Sequence, residues 1–195
     1  MNLDHIKKEL SGELDEARFI HSVNVMEESI KLAHHYGVDE DKAAWAGLLH
    51  DCGKNYKGDR AREYVRSIGY IPDEIECKQT KLLHGIIGEH LAREKYGVTD
   101  PAVLSAIRWH TTGRGGMTLL EKIIYIADYI EPARQLDGIE EMRKVAYNDL
   151  DRCIVICSDS TIAFILKKGA LLHPKTVETR NYSLLNLKAE ESTRA

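Results

Sequence analysis

The sequence predicts a single all-α domain, a bundle of roughly seven to nine helices. Three observations predict it. Apolar residues recur with helical spacing along most of the chain, and the alternating runs of half-buried strands are scarce. Capping residues and glycines bracket nearly every periodic segment. Two Phe, two Trp and four Pro among 195 residues are a poor stock for a β-sandwich. A chain of this length that is 43% hydrophobic can close one full core. Residues 1–187 form the expected domain, and from Lys188 the polar stretch KAEESTRA is expected to fray.

The segments follow in order. Asp15–Tyr36 places Phe19, Val23, Met26, Ile30 and Ala33 on one stripe, and Gly37 ends it. Asp39 or Asp41 caps the next helix, which runs through Trp45 and Leu49 and stops by Gly53. Asp59–Ile68 is short and amphipathic, Pro72 opens a weaker segment through Cys77, and His84–Tyr96 continues to Gly97. Thr99-Asp100-Pro101 joins a capping residue to a proline at the first helical position. That helix carries Val103, Leu104 and Ile107 into Trp109-His110-Thr111-Thr112-Gly113. Gly113-Arg114-Gly115-Gly116 reads equally as a mobile lid or a plain connection. Thr118-Leu119-Leu120-Glu121 is a capping box that opens a helix through Asp128 and Ile130, limited by Pro132. Asp149–Lys168 is the last long helix, with Gly169 as its stop.

A net charge of −4 argues against a general nucleic-acid binder, which would carry a basic excess. No run approaches the ~18 apolar residues of a membrane helix, and the first residues lack an apolar signal core. Cys52, Cys77, Cys153 and Cys157 form no Cys-x-x-Cys pair, so free thiols in a reducing, cytoplasmic setting are expected. Cys153 and Cys157 read as small core residues.

Nine histidines are present, in unlike settings. His5, His34, His35 and His173 lie in polar or terminal contexts and read as surface residues; His90 reads as partly buried and structural. His21, His50, His84 and His110 sit in apolar runs, and so do Asp51 and Asp128. Burying an ionised carboxylate is costly unless it is paired or bound to a metal. One buried histidine usually donates to a carbonyl, but six such groups over about five helices would need six separate solutions. A shared metal site solves them together, since imidazole and carboxylate suit first-row divalent ions and helical bundles build such sites from inward-facing side chains. Six donors exceed one closed tetrahedral site, which points to an octahedral ion or to two ions.

The ordered series His21, His50-Asp51, His84, His110 and Asp128 resembles the HD-domain superfamily of metal-dependent phosphohydrolases, named for its adjacent His-Asp pair. Five strings resemble one branch, the bacterial HD-type symmetrical bis(5'-nucleosyl)-tetraphosphatases. They are Arg18-Phe19-Ile20-His21-Ser22, His50-Asp51-Cys52-Gly53-Lys54, His84-Gly85, Trp109-His110-Thr111-Thr112-Gly113 and the run from Ile126 to Arg134. Chain length and Thr179-Arg180-Asn181-Tyr182 also fit.

The resemblance implies an HD-domain helical bundle around a di-metal site, with iron as the expected metal and Mn, Co or Ni as alternatives. His21, His50, Asp51 and Asp128 would hold one ion, and Asp51 would bridge to a second held by His84 and His110. Diadenosine tetraphosphate would be cut in the middle into two ADP by a hydroxide generated at the metals. Asp51, Lys54, His84 and His110 would carry the catalysis. Arg18, His21, Lys54, His84, His110, Thr111, Asp128, Arg134 and Arg180 would contact substrate. Lys54, three residues past Asp51, is the first choice for a phosphate oxygen, and Arg18 lies one turn before His21 on the same face. Lys57, Arg60 and Arg62 read as a solvated helix face. The partner is then a small nucleotide rather than nucleic acid or membrane, and the family suggests a homodimer.

Other branches fit less well. Guanosine-polyphosphate hydrolases show an HDxxED pattern, whereas Cys52-Gly53-Lys54-Asn55 follows the pair here. Cyclic-dinucleotide phosphodiesterases carry Gly-Tyr-Pro, whereas Gly69-Tyr70 is followed by Ile71. A non-catalytic nucleotide-binding module would tolerate missing ligands, and none is missing. An oxygenase would not need Lys54 and the nearby arginines.

Overall fold

The capping residues stand where the sequence places them. In the computed structural model, which describes residues 2–194, Asp15 caps α2 (Glu16–Tyr36) by accepting from the Arg18 N–H, and Gly37 ends it in the left-handed region. Asp39 caps α3 (Glu40–Leu49), Asp100 caps α7 (Pro101–Trp109), and Thr118 with Glu121 forms the expected capping box of α8 (Leu119–Ile130). The remaining expected segments are α4 (Gly58–Ser67), α5 (Glu74–Lys78), α6 (His84–Glu94) and α10 (Leu150–Lys167), with a 3₁₀ turn at Thr80–Leu83. No strand occurs among the described residues, and none of their helices is long and apolar enough to cross a membrane.

Three further helices raise the number of α-helices to eleven among the described residues, above the seven to nine expected. They are α1 (Leu3–Glu13), α9 (Ile139–Ala146) and α11 (Pro174–Arg194). The first two bury only two residues each, Ile6 with Leu10 and Met142 with Ala146, so each offers few apolar positions to read. The third continues helical through the polar end where fraying was expected; Ala195 lies outside the described residues.

α2, α3, α7 and α8 pack together at the centre, with α10 against α8 and α11 against α10. Leu48, Leu49, Ile107, Ile123, Ile124 and Ile126 are fully buried between them. The buried stripe of α2 is Ser22, Val25, Met26, Ser29, Leu32 and Ala33; Phe19, Val23 and Ile30 of the expected stripe are only half-buried. The reason is the close approach of α3. A Cβ on Gly47 would lie 2.8 Å from the Met26 Cα and 2.9 Å from the Ser29 Oγ, so small residues fill this seam. Cys153 and Cys157 are buried core thiols, as expected.

Two other glycines bring the helix ends of the site together. A Cβ on Gly53 would stand 2.4 Å from the His84 carbonyl oxygen, and one on Gly85 would stand 2.4 Å from the Arg108 carbonyl oxygen. Neither glycine has a positive φ, so the demand is for space rather than for a turn. Gly85→Ala should therefore force α6 and α7 apart, because backbone cannot yield as a side-chain tip does. The expected loss is about 1–3 kcal/mol in denaturant unfolding, the usual range for overpacking, with reduced metal content in the same preparation.

Candidate metal centre

Four imidazoles converge from four segments. His50 is the C-cap of α3, His110 the C-cap of α7, His84 opens α6, and His21 lies in the second turn of α2. The last carbonyls of a helix lack intrahelical donors, and the sequence uses them. His50 Nδ1 donates to Gly47 O at 2.7 Å, His110 Nδ1 to Ile107 O at 2.7 Å and His84 Nδ1 to Lys81 O at 2.5 Å. His21, inside a helix, has no free carbonyl in reach. Its Nδ1 donates instead to Glu131 Oε1 at 3.2 Å, and Glu131 is itself fixed by Asn24 and the Ala133 N–H. With Nδ1 committed in all four rings, all four Nε2 atoms point inward.

Asp51, fully buried, sits in their midst. Its Oδ2 faces His50 Nε2 at 3.4 Å and His21 Nε2 at 3.8 Å, while Oδ1 faces His84 Nε2 at 3.4 Å and His110 Nε2 at 3.5 Å. Asp128 Oδ1 lies 3.0 Å from His21 Nε2 and 3.8 Å from His50 Nε2. Three overlapping clusters result: His21–His50–Asp51, His50–His110–Asp128 and Asp51–His84–His110.

This donor set fits a divalent cation. His84 Nε2 and His110 Nε2 stand 2.9 Å apart with their Nδ1–H groups already used, so two lone pairs face one another. The Thr111 hydroxyl, 3.0 Å from both, can donate to only one. Asp51 Oδ1 is buried without a hydrogen-bond partner, and an orphaned buried acceptor of this kind is expensive. Burial pushes the His84 pKa down and outweighs the opposing pull of the nearby Asp51 carboxylate, which keeps that ring neutral and able to ligate. Burial pushes the Asp51 carboxyl up, but the imidazoles around it, His50 first and then His110 and His84, outweigh burial and hold the group well below the usual carboxylate range. His21 is lowered by burial and raised more by Asp128, so a proton there is what a metal ion would displace.

A cavity of about 590 Å³ opens directly onto this centre. His21, Asp51, His84 and Thr111 reach it from the metal side, and Arg18, Lys54, Lys57, Lys81 and Arg134 line it as cations. The Lys54 ammonium contacts Asp51 Oδ2 at 2.5 Å, and Arg134 donates to Asp128 Oδ1 at 2.7 Å. Arg18 is steadied by Asn55, which accepts from its guanidinium at 3.0 Å.

The structure thus brings together all the expected site residues but one. Arg180 does not line the cavity; its guanidinium is paired with Asp159 between α10 and α11. Lys57, expected on a solvated face, lines the cavity because the chain turns beside it before α4 begins. His173, expected on the surface, is largely covered and donates to Asp73 at 3.0 Å. His90 is half-buried and bonded to the Tyr64 hydroxyl, as expected. The Gly113–Gly116 loop is pinned rather than free: the Gly115 N–H donates to Glu178, and Arg114 pairs with the buried Glu121. Sequence reasoning missed Lys81 and Glu131. Lys81, three residues before His84, and the Glu131-Pro132 step after α8 were the available signals.

Residues 18–133 match the HD domain. The chain belongs to the HD-domain family. It is 43% identical over 175 residues to a symmetrical bis(5'-nucleosyl)-tetraphosphatase of Halalkalibacterium halodurans, covering 90% of this chain and 93% of that protein. The Bacillus subtilis protein of the same name is 37% identical over 182 residues, covering 93% and 97%. A crystal structure described as a predicted HD superfamily hydrolase involved in NAD metabolism, from Clostridium acetobutylicum, superposes with a TM-score of 0.92 at 44% identity, covering 95% of this chain and 98% of that one. This HD-domain chain is accordingly a hydrolase, and the His/Asp cluster described above is where the family's namesake pair lies.

Asp51→Ala in this HD-domain hydrolase should lower bound metal and turnover together, by at least the 10–100-fold that loss of an outer-shell partner costs. Metal analysis beside an activity assay checks it. Intact metal content with a near-normal rate would show that the carboxylate is not a ligand.

Proposed function

We propose that the protein hydrolyses diadenosine tetraphosphate symmetrically, yielding two ADP. One observation carries the reading: five cationic side chains line a single cavity over the His/Asp centre of a chain with net charge −4. Such a cavity focuses a positive field on a polyphosphate even though the whole molecule is acidic. The names of the relatives supply the dinucleoside tetraphosphate and its symmetrical cleavage.

In this reading His21, His50, Asp51 and Asp128 hold one ion and Asp51, His84 and His110 another, with iron the expected metal. Bound divalent ions supply a water of lowered pKa and neutralise phosphate oxygens. Arg18 and Arg134 hold the polyphosphate from either side of the cavity. Lys54 stands beside Asp51 and offers its ammonium to an oxygen of the attacked phosphate. Water adds to one inner phosphorus as the central P–O bond breaks; one ADP takes the new oxygen and the other leaves as a phosphate anion. That anion is stabilised by nearby cations, so no general acid has to protonate it. The enzyme acts in the cytoplasm on a small molecule.

Purified protein supplied with Fe(II) or Mn(II) should release ADP alone from diadenosine tetraphosphate, as read by chromatography. ATP plus AMP would overturn the symmetrical reading. Faster turnover of guanosine polyphosphates, cyclic dinucleotides or NAD in the same panel would move the substrate class. Lys54→Ala should reduce kcat by about a hundredfold, the scale of losing one oxyanion-stabilising donor.

A further inference from the structure

α11 lies beyond residues 18–133, yet it bears on the His/Asp centre through the loop that follows His110. Glu178, Thr179 and Tyr182 of α11 meet three glycines of that loop. A Cβ on Gly113 would stand 2.6 Å from the Thr179 Cγ2, one on Gly115 2.7 Å from the Glu178 Oε1, and one on Gly116 3.6 Å from the Tyr182 Cζ. The first two glycines therefore leave the room in which the helix docks. Arg180 pairs with Asp159 and ties α11 to α10 at the same level. Thr179 is buried, and its hydroxyl donates to the Thr112 carbonyl oxygen at 3.0 Å. The peptide unit from Thr112 to Gly113 is planar and stiff, and its other end is held too: the Gly113 N–H donates to the Trp109 carbonyl oxygen at 2.8 Å. This plane closes the turn that carries Thr111. The Thr111 hydroxyl stands 3.0 Å from both His84 Nε2 and His110 Nε2, and Thr111 lines the catalytic cavity.

We propose that Thr179 is a positioning residue: through the Thr112 carbonyl it fixes the Thr111 hydroxyl where that group donates to a phosphate oxygen at the His/Asp centre. The inference rests on the phosphate chemistry proposed above and deepens it. With the facing lone pairs of His84 and His110 taken up by a cation, the Thr111 hydrogen has no ring nitrogen left to bond and turns to an anionic oxygen in the cavity. A threonine side chain is confined to a few staggered rotamers, so its hydroxyl goes where the backbone aims it. That backbone is what Thr179 holds. His110 is secured separately, by its own bond to the Ile107 carbonyl. Loss of the Thr179 hydroxyl should therefore loosen Thr111 and leave the ring in place.

The test is the affinity of the Mn(II)-loaded protein for inorganic phosphate, which needs no turnover. Thr179→Val keeps the shape of threonine without its hydroxyl. Thr179→Ser keeps the hydroxyl without the methyl, and Thr179→Ala keeps neither. Wild type and Thr179→Ser should bind phosphate alike, and the Val and Ala variants about tenfold more weakly, the scale of one hydrogen bond to a charged group. A role in packing alone reverses the order: Thr179→Val then matches wild type, the Ser and Ala variants weaken together, and the proposal is overturned. Equal affinity in all four proteins overturns it too, as does a wild type that binds no phosphate. Thr111→Val should weaken phosphate by a similar factor. Adding Thr179→Val to it should change nothing further, because the two act through one contact; a full second loss overturns the proposal. Manganese content, measured on the same preparations, should stay constant, and a fall in step with phosphate affinity would place the effect on the ligands instead and overturn it. If wild type releases no ADP from diadenosine tetraphosphate while phosphate affinity follows the hydroxyl, the reaction is wrong and the positioning stands.

Discussion

Two imidazole lone pairs facing one another across 2.9 Å, beside a buried carboxylate oxygen with no donor, form the constraint on which this molecule depends. The Thr111 hydroxyl can serve only one of the two, and the other nitrogen of each ring already donates to a backbone carbonyl. A positive charge between them is the remaining solution, and the site is shaped for one. The same device appears three times. His50, His84 and His110 each bond the carbonyl three residues earlier, at or beside a helical end where carbonyls run short of intrahelical donors. One hydrogen bond thus satisfies a helix terminus and aims an imidazole. His21 lies where the helix consumes its own carbonyls, and there a carboxylate from 110 residues away takes the role.

Aiming the rings is not enough unless the helix ends meet. Gly53 and Gly85, two residues after Asp51 and one after His84, let backbone touch backbone at separations that no Cβ allows. The apolar residues behind them, Leu48, Leu49, Ile107 and Ile126, are fully buried and hold the four segments in place. Core packing and site geometry are therefore one problem here: the two glycines serve the close contact, and the large residues behind them serve the rigidity.

Much of this was legible in the sequence, for physical reasons that differ between elements. Asp15, Asp39, Asp100 and Thr118 announce their helices because a cap is a local interaction over three residues. The six residues of the His/Asp cluster stand out because each is polar in an apolar run, a mismatch the sequence alone displays. α1, α9 and α11 were not legible, since the first two are short segments that bury two residues each and the third docks through a mostly polar face. Arg180 and Lys57 show the limit for surface cations. Nothing local says whether such a side chain faces a cavity or a neighbouring carboxylate, and Asp159 decides it for Arg180. Glu131 was hidden for the opposite reason: its partner, His21, is remote in sequence, and a glutamate after a helix reads as ordinary.

The pairing of cations with ligand carboxylates explains how an acidic protein can present a cationic cavity. Lys54 rests on Asp51 and Arg134 on Asp128, so each carboxylate of the centre carries its own counter-charge from the cavity wall. Ions held by the same carboxylates would take over that neutralisation. Lys54 and Arg134 would then face the cavity with their charge uncommitted, alongside Arg18, Lys57 and Lys81. Under the reaction proposed above, metal binding and polyphosphate binding would be coupled through the same two salt bridges, and such a coupling is reciprocal. A polyanion that draws Lys54 and Arg134 away leaves Asp51 and Asp128 with a stronger demand for a divalent ion, so substrate and metal should each tighten the other's hold.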